Sequence, residues 1–413
     1  MKTKVILSTC ASLLFCLPVL GADWPQFRGP ANDGSSAEKI LTAWPQEGPK
    51  EVWKVPVGEA FGAISVSGDK AFCFMQRDEK EVAVAMDRQT GKELWAVPLG
   101  ESIKDRQGGD GPRTTPAVDG DKVYVLGTWL NLVCLNAADG KTVWSHDIEK
   151  EFGGVVPKWG NAASPIIEGD LLFVCGGGRG QSIIAFDKTT GNVAWKKHDD
   201  EITHASPTPA TIHGVRQIIF RTGSGLVAVA PKTGDVLWRY AIPHRVSSAA
   251  SPVVGGDIVY TSSAYGIGAG ACKVTKTDAG FSAAEVWRDA GLQNHWTTPV
   301  YHDGYLYGLY KQPSTLRCIE MATGKEVWSK SGFGWGGATI LVEGNVLVQD
   351  ERGELVLVKA TPEKYTELTR AHPLGGKCWT MPVISDGRIY ARSTQEAVCL
   401  DVAGQKVARR LDR

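Results

Sequence analysis

Missing from this sequence is almost every short signature that announces chemistry. No two cysteines are adjacent, no CxxCH segment could attach haem, and no HExxH or paired Cys/His spacing could build a zinc site. No GxSxG elbow points to a Ser-His-Asp set. Net charge is also missing: 45 Lys and Arg meet 45 Asp and Glu, so nothing global draws the chain to nucleic acid or an anionic membrane. After the first twenty residues no segment holds 18 consecutive apolar residues, which excludes a membrane span. Three suggestive phrases fail on context. GGGRGQS at 176–182 lacks the Lys-Ser/Thr ending of a phosphate loop, YGIGAGA at 265–271 precedes no helix, and DGD at 119–121 reads as turn chemistry without a calcium ligand series.

What is present starts with a leader. Lys2 and Lys4 precede an apolar stretch over residues 5–20, and Gly21 or Ala22 offers a small residue for cleavage. Residues 1–22 therefore read as a secretory signal, and the mature protein is expected to be periplasmic or secreted. Cys10 lies too early and Cys16 follows Phe15, which argues against lipidation. Export would permit disulfides among the remaining cysteines. Cys134, Cys318 and Cys399, however, occupy strand positions where other copies of a repeat carry Ala85, Ala185 and Ala228, so they are expected to fill small buried slots.

That repeat decides the architecture. FDKTTGNVAW at 186–195 returns as MDRQTGKELW, LNAADGKTVW, VAPKTGDVLW and IEMATGKEVW, placing Trp53, Trp95, Trp144, Trp195, Trp238, Trp287 and Trp328 at gaps of 41 to 51 residues. A second phrase interleaves: TPAVDGDKVYV at 115–125, SPIIEGDLLFV at 164–174, SPVVGGDIVYT at 251–261 and five relatives, eight copies in all. Each copy reads as a four-stranded antiparallel meander with Gly-bearing turns. Strands such as Val123–Leu126 are apolar on both faces, so each sheet needs a sheet on either side. The expected fold is all-β, an eight-bladed β-propeller spanning residues 50–413, preceded by a Pro- and Gly-rich extended arm at 23–49. The small residue and the tryptophan stand ten apart in five copies, so each indole is expected to pack where the small residue leaves space. Two copies depart: residues after 272 carry an insertion before Trp287, and Leu368 stands roughly where a tryptophan belongs. Both blades are expected to be irregular at the outer edge. Residues 51–58 are expected to close the last blade, with the tail at 404–413 as the competitor for that slot.

These phrases resemble the tryptophan-docking repeats of the PQQ-like β-propeller family over residues 50–402, and the DWPQFRGP start resembles exported PQQ-like repeat proteins of planctomycete-type bacteria. The family holds quinoprotein alcohol dehydrogenases and, more distantly, the non-catalytic outer-membrane assembly factor B. The resemblance implies the fold. It does not carry the dehydrogenase site across, since those enzymes use an adjacent cysteine pair, acidic and asparagine calcium ligands and a catalytic aspartate, none of which finds a match here. No cofactor is expected; PQQ with calcium belongs to the alternative reading, a divergent quinoprotein oxidoreductase.

In a propeller the links into each inner strand converge on the central channel. Here they carry Phe61, Arg113, Trp159 with Asn161, His204, Arg245, His295 with Trp296, Trp335 and Trp379. Such aromatic surface with Arg and His suits an envelope protein partner or a small anionic or sugar-like ligand. The same side chains could instead plug the channel. The main expectation is a monomeric, non-catalytic binding scaffold; another places the arm at 23–49 as the docking element of a larger assembly.

Overall fold

Turns built on glycine and aspartate cut the chain into short strands, and within each blade these pair with their near neighbours in sequence. The result, in a computed structural model that describes residues 23–404, is eight separate sheets. The expected leader at 1–22 and residues 405–413 lie outside the described residues. Blade 2 is typical: Ala117–Asp119, Lys122–Leu126, Asn131–Asn136 and Thr142–Asp147 form an antiparallel meander from the channel outward. Among the described residues the one helix is Ile148–Phe152. The expected eight-bladed all-β propeller is the fold observed.

The ring is shut by the amino-terminal strand. Lys50–Pro56 pairs antiparallel with Glu396–Asp401, with Trp53 opposite Cys399, so blade 8 takes its outermost strand from the start of the chain.

The packing rule behind the repeat is a three-strand register. Phe72, Ala85 and Trp95 are successive cross-strand partners in blade 1, as are Tyr124, Cys134 and Trp144 in blade 2 and Phe173, Ala185 and Trp195 in blade 3. The small central residue lets ring and indole meet over it, with centroids 6.1, 5.9 and 6.0 Å apart in these three blades. All seven cysteines among the described residues are free and buried, as core filling requires.

The indoles of these three blades also reach the next blade. Trp95 Nε1 donates to the Ala137 carbonyl, Trp144 Nε1 to Lys188 and Trp195 Nε1 to Pro231, at 2.8–3.2 Å. The turn glycine of that next blade lies directly beneath the ring: a Cβ on Gly191 would stand 2.7 Å from Trp144, and one on Gly234 would stand 2.6 Å from Trp195. Both glycines also hold a left-handed φ, 76° and 72°. The glycine is thus required twice, for its turn and for its neighbour's indole.

The two departing blades correct the expectation of frayed edges. In blade 5 the insertion lengthens Gly268–Thr277 and Gly280–Asp289 into a hairpin of two ten-residue strands, and Trp287 pairs with Ala271. This hairpin covers Trp238 of blade 4, whose Nε1 turns back to Gln217 at 2.5 Å in its own blade. In blade 7 Leu368 falls in the bulge, and Thr369 takes the tryptophan position opposite Leu357. A large residue has replaced the small one, and a small residue has replaced the indole. Trp44 from the arm joins the same apolar cluster as Leu368, and its backbone N–H donates to Thr369 Oγ1 at 3.1 Å.

The arm does not project. Trp24 pairs with Val66 of blade 1, the Pro25 carbonyl accepts from Val118 of blade 2, and Gln26 Oε1 accepts from Ile167 of blade 3. It then crosses the axis. Arg28 donates to the carbonyls of Thr298 and Pro299 at the entry to blade 6, Ser35–Ser36 runs parallel to Gly337–Val342 of blade 7, and Ile40 bridges Ala403 beyond blade 8. Trp24 and Arg28 are fully buried against the blades.

Candidate functional site

The links that enter the inner strands are stitched to one another by hydroxyls that precede proline. Ala63 N donates to Thr115 Oγ1, Thr115 N to Ser164 Oγ, and Ser164 N to Ser206 Oγ, at 2.9–3.0 Å. On the other side of the ring Ser251 N donates to Thr298 Oγ1 at 3.0 Å. Proline fixes φ and carries no N–H of its own. The residue before it is therefore an extended, well-placed acceptor for the preceding blade. The repeated Thr-Pro and Ser-Pro pairs in the sequence are this device.

Inside the stitched ring lies a cavity of about 300 Å³. The arm closes one end, with Phe27 and Arg28 among its lining residues. The other end is framed by aromatic rings in near-continuous contact. Phe61 meets Trp379 at 5.5 Å, Trp379 meets Trp296 at 4.3 Å, Trp296 meets His295 at 4.5 Å, His295 meets Tyr265 at 5.1 Å, and Tyr265 stacks on Trp159 at 6.4 Å and 16°. Trp159 Nε1 then donates to Gln107 Oε1 at 2.9 Å, in the loop that also carries Asp105 and ends at Arg113. Arg113 lies 5.5 Å from the Phe61 ring and completes the circle. Trp159 and Tyr265 both hold left-handed backbones, φ 70° and 58°. For bulky residues this costs about 1–2 kcal/mol each, a cost that surrounding structure must overcome.

Charge within the cavity is closed off. Arg113 Nη2 binds Asp105 Oδ2 at 2.9 Å and the Gly109 carbonyl at 3.1 Å, and Asp105 also accepts from the amides of Gln107 and Gly108. Burial lowers the Arg113 pKa, partly offset by Asp105. His204 Nε2 faces the Lys158 carbonyl at 2.7 Å and so carries the proton, leaving Nδ1 to accept from Ser247 Oγ at 3.0 Å. Burial pushes its pKa down, against the pull of that carbonyl. Burial, helped by the neighbouring His204, brings His295 down to about 4. Both imidazoles are neutral at pH 7. Arg28 directs its N–H groups to the carbonyls of Asn32, Asp33, Thr298 and Pro299. Lys377 sits over the rings of Trp379, at 4.2 Å, and Phe61, and donates to the Gly108 carbonyl.

Of the residues singled out from sequence, Phe61, Arg113, Trp159, His204, His295, Trp296 and Trp379 line this cavity. Three do not. Asn161 is fully buried and shapes its own turn, accepting from Ala163 N at 3.0 Å. Arg245 is exposed, with Nη1 3.5 Å from the Tyr265 carbonyl. Trp335 is 58% exposed beside the cavity, where one Glu351 carboxylate accepts both its backbone N–H and Trp379 Nε1. Sequence reasoning missed Tyr265, Gln107 and Phe27. Tyr265 lies in the loop between the second and third strands of blade 5, and Phe27 on the arm; neither segment is a link into an inner strand. A further buried group behind the rim is Glu81, whose carboxylate accepts from the Thr128 hydroxyl and, at 3.1 Å, from Thr128 N.

The quinone cofactor implied by the fold family does not fit these donors. Calcium would need several convergent oxygen ligands. Among the described residues no three His, Cys, Asp or Glu side chains converge as metal ligands, and Asp105, the carboxylate lining the cavity, is held by Arg113 and two amides.

A family model described as outer membrane protein assembly factor BamB matches residues 78–330. Among solved structures the chain is similar to BamB from Moraxella catarrhalis, with 15% identity, a TM-score of 0.60, and coverage of 85% of this chain and 97% of that one. It is similar to quinohemoprotein alcohol dehydrogenase from Comamonas testosteroni, with 15% identity, a TM-score of 0.66, and coverage of 93% and 81%. It is also similar to the computationally designed Ika8 protein, with 12% identity, a TM-score of 0.61, and coverage of 86% and 100%. No curated protein matches. At these identities the likeness concerns the fold, which an assembly factor, a dehydrogenase and a designed protein share.

Proposed function

Because this chain belongs to the family of the outer membrane protein assembly factor BamB, within the PQQ-like β-propellers, we propose that it is an exported, non-catalytic propeller that binds a small ligand or an envelope partner at its aromatic-framed cavity. The observation that carries the reading is the closed ring from Phe61 through Trp379, Trp296, His295 and Tyr265 to Trp159, floored by the protein's own arm. A site used for acid–base work would hold a group poised to exchange protons near neutral pH. Here Asp105 is held by Arg113 and two amides, and both ring nitrogens of His204 are engaged, by the Lys158 carbonyl and the Ser247 hydroxyl. Large rigid aromatic side chains on loops supported by a stiff scaffold are the parts of a recognition surface. The likeness to an assembly factor by name favours a periplasmic or other envelope location, as does the leader-like start of the sequence; no helix among the described residues is long and apolar enough to cross a membrane.

The test is retention from the native envelope fraction on immobilised protein, comparing the intact chain with the Trp159→Ala/Trp379→Ala double variant. Retained material that disappears with the double variant, while its circular dichroism and unfolding midpoint stay near those of the parent, supports the reading. Addition of PQQ and Ca²⁺ producing a quinone absorbance shift and dye-linked alcohol oxidation would overturn it in favour of an oxidoreductase.

A further inference from the structure

We propose that the cavity takes a neutral saccharide, with the sugar ring against Trp159 and Trp379 and a longer chain running outward over Trp335. The inference deepens the binding reading above and rests on it.

Three observations narrow the ligand. The first is the wall. Indole and phenyl faces carry partial negative charge, and the C–H faces of a pyranose carry partial positive charge, so the two attract while apolar area leaves water. The cavity volume of about 300 Å³ is at the small end of ligand clefts and holds about one or two such rings.

The second is the polar content. Besides aromatic and small side chains, the lining offers Gln107, Thr115, Ser206 and Ser247, neutral groups that each keep a donor or an acceptor beyond the hydrogen bonds given above. A hydroxyl needs both. An ionic ligand instead needs a charged group whose N–H or carboxylate positions are free to face it, and those lining the cavity are already engaged: Arg113 with Asp105 and the Gly109 and Gly111 carbonyls, and Arg28 with four carbonyls.

The third lies outside the cavity. Trp335 is 58% exposed, and its backbone is tied through Glu351 to the Trp379 indole. An indole left in water beside an aromatic cavity extends its binding surface, which suits a chain of sugar units better than a single compact metabolite.

The experiment titrates the full chain with neutral hexasaccharides of β-1,4-glucose, α-1,4-glucose, β-1,4-N-acetylglucosamine and β-1,4-mannose, followed by tryptophan fluorescence and calorimetry at low and high salt. At least one is expected to bind, more tightly as the chain lengthens, and with little change in high salt. Trp159→Ala should weaken it by roughly tenfold or more, as loss of one stacking face implies. Gly336→Ala gives a second route, because its methyl would stand 2.5 Å from the Trp296 ring and force that indole to move. Trp335→Ala, at an exposed position that folding does not depend on, should weaken the hexasaccharide severalfold and leave the monosaccharide unchanged. Binding of none of the four overturns the proposal, as does binding confined to acidic polysaccharides such as polygalacturonate with a steep salt dependence. If none binds and an envelope partner is still lost with Trp159→Ala/Trp379→Ala, the saccharide is wrong and the binding reading stands.

Discussion

A methyl group is the smallest probe of how the blades hold one another. In blade 3, Gly169 and Gly191 both hold a left-handed backbone, with φ 60° and 76°. A Cβ on Gly169 would meet nothing within 4 Å, whereas one on Gly191 would stand 2.7 Å from the Trp144 ring of blade 2. Gly169→Ala should therefore cost about 1 kcal/mol from backbone strain. Gly191→Ala should cost roughly 2–4 kcal/mol, since the indole must also retreat. Denaturant midpoints of the two variants measure the difference, and equal losses would mean that the indole contact contributes nothing. Glu81 gives the residue scale a pH dependence. Its carboxylate is buried, and burial raises its pKa to about 7 against the opposing pull of the Thr128 hydrogen bonds and of Arg113. With a folded pKa above the unfolded value near 4.5, the folded state binds the extra proton between those limits. Stability from this group is thus fully present below about 4.5 and is lost as pH rises through 7, by roughly 3 kcal/mol. Glu81→Gln should remove that slope: variant and parent converge near pH 4, and the variant is the more stable at pH 8. Parallel stability curves would count against it.

Blade 7 is where an element departs from its siblings and remains ordered. Leu357 and Thr369 are register partners at the positions held by Ala185 and Trp195 in blade 3, so bulk has moved from the fourth strand to the third. Leu357→Ala should cost about 2–5 kcal/mol by opening a cavity, and Thr369→Trp about 1–3 kcal/mol by overpacking. The double variant should lose less than the two losses added, because the new indole fills the space that Ala leaves; coupling of about 0.5–3 kcal/mol in a double-mutant cycle checks it, and strict additivity would refute it. The same pair marks how far the sequence could be read. Blades, turns and five of the docking tryptophans follow from a small residue and an indole at fixed spacing, which is local information. Blade 7 looked frayed because a compensating exchange across strands is invisible until the register is known. The candidate site was partly legible for the same reason: residues preceding inner strands converge by topology, so Phe61, Trp159 and Trp379 could be found. Asn161 could not be separated from them, since a polar side chain satisfied by its own turn looks the same in sequence as one facing a ligand. Tyr265 and Phe27 reach the cavity from a loop of blade 5 and from the arm, by contacts that no spacing encodes.

At the scale of the whole molecule the arm turns a row of blades into a floored vessel. A propeller is held mainly by nearest-neighbour contacts, so its ring can loosen wherever one interface opens. The arm spans that ring, bonding to blades 1, 2 and 3 and then to blades 6 and 7 before meeting blade 8. Arg28 sits at the crossing of the axis, where its side chain donates to four carbonyls from the arm and from the entry to blade 6. Replacing it by alanine removes these donors from carbonyls at the crossing and should cost about 2–4 kcal/mol. Because the blades keep their own docking indoles, the loss should be felt first as release of the arm. Limited proteolysis is expected to cut Arg28→Ala within residues 23–49 well before the blades are attacked, whereas the parent arm is protected until the ring unfolds. Since Phe27 and Arg28 both line the cavity, the released variant should also lose whatever the parent binds there, with the Trp159 and Trp379 side chains still in place. Unchanged protection of the arm in Arg28→Ala would mean that the floor is held by Trp24 and the backbone pairings alone.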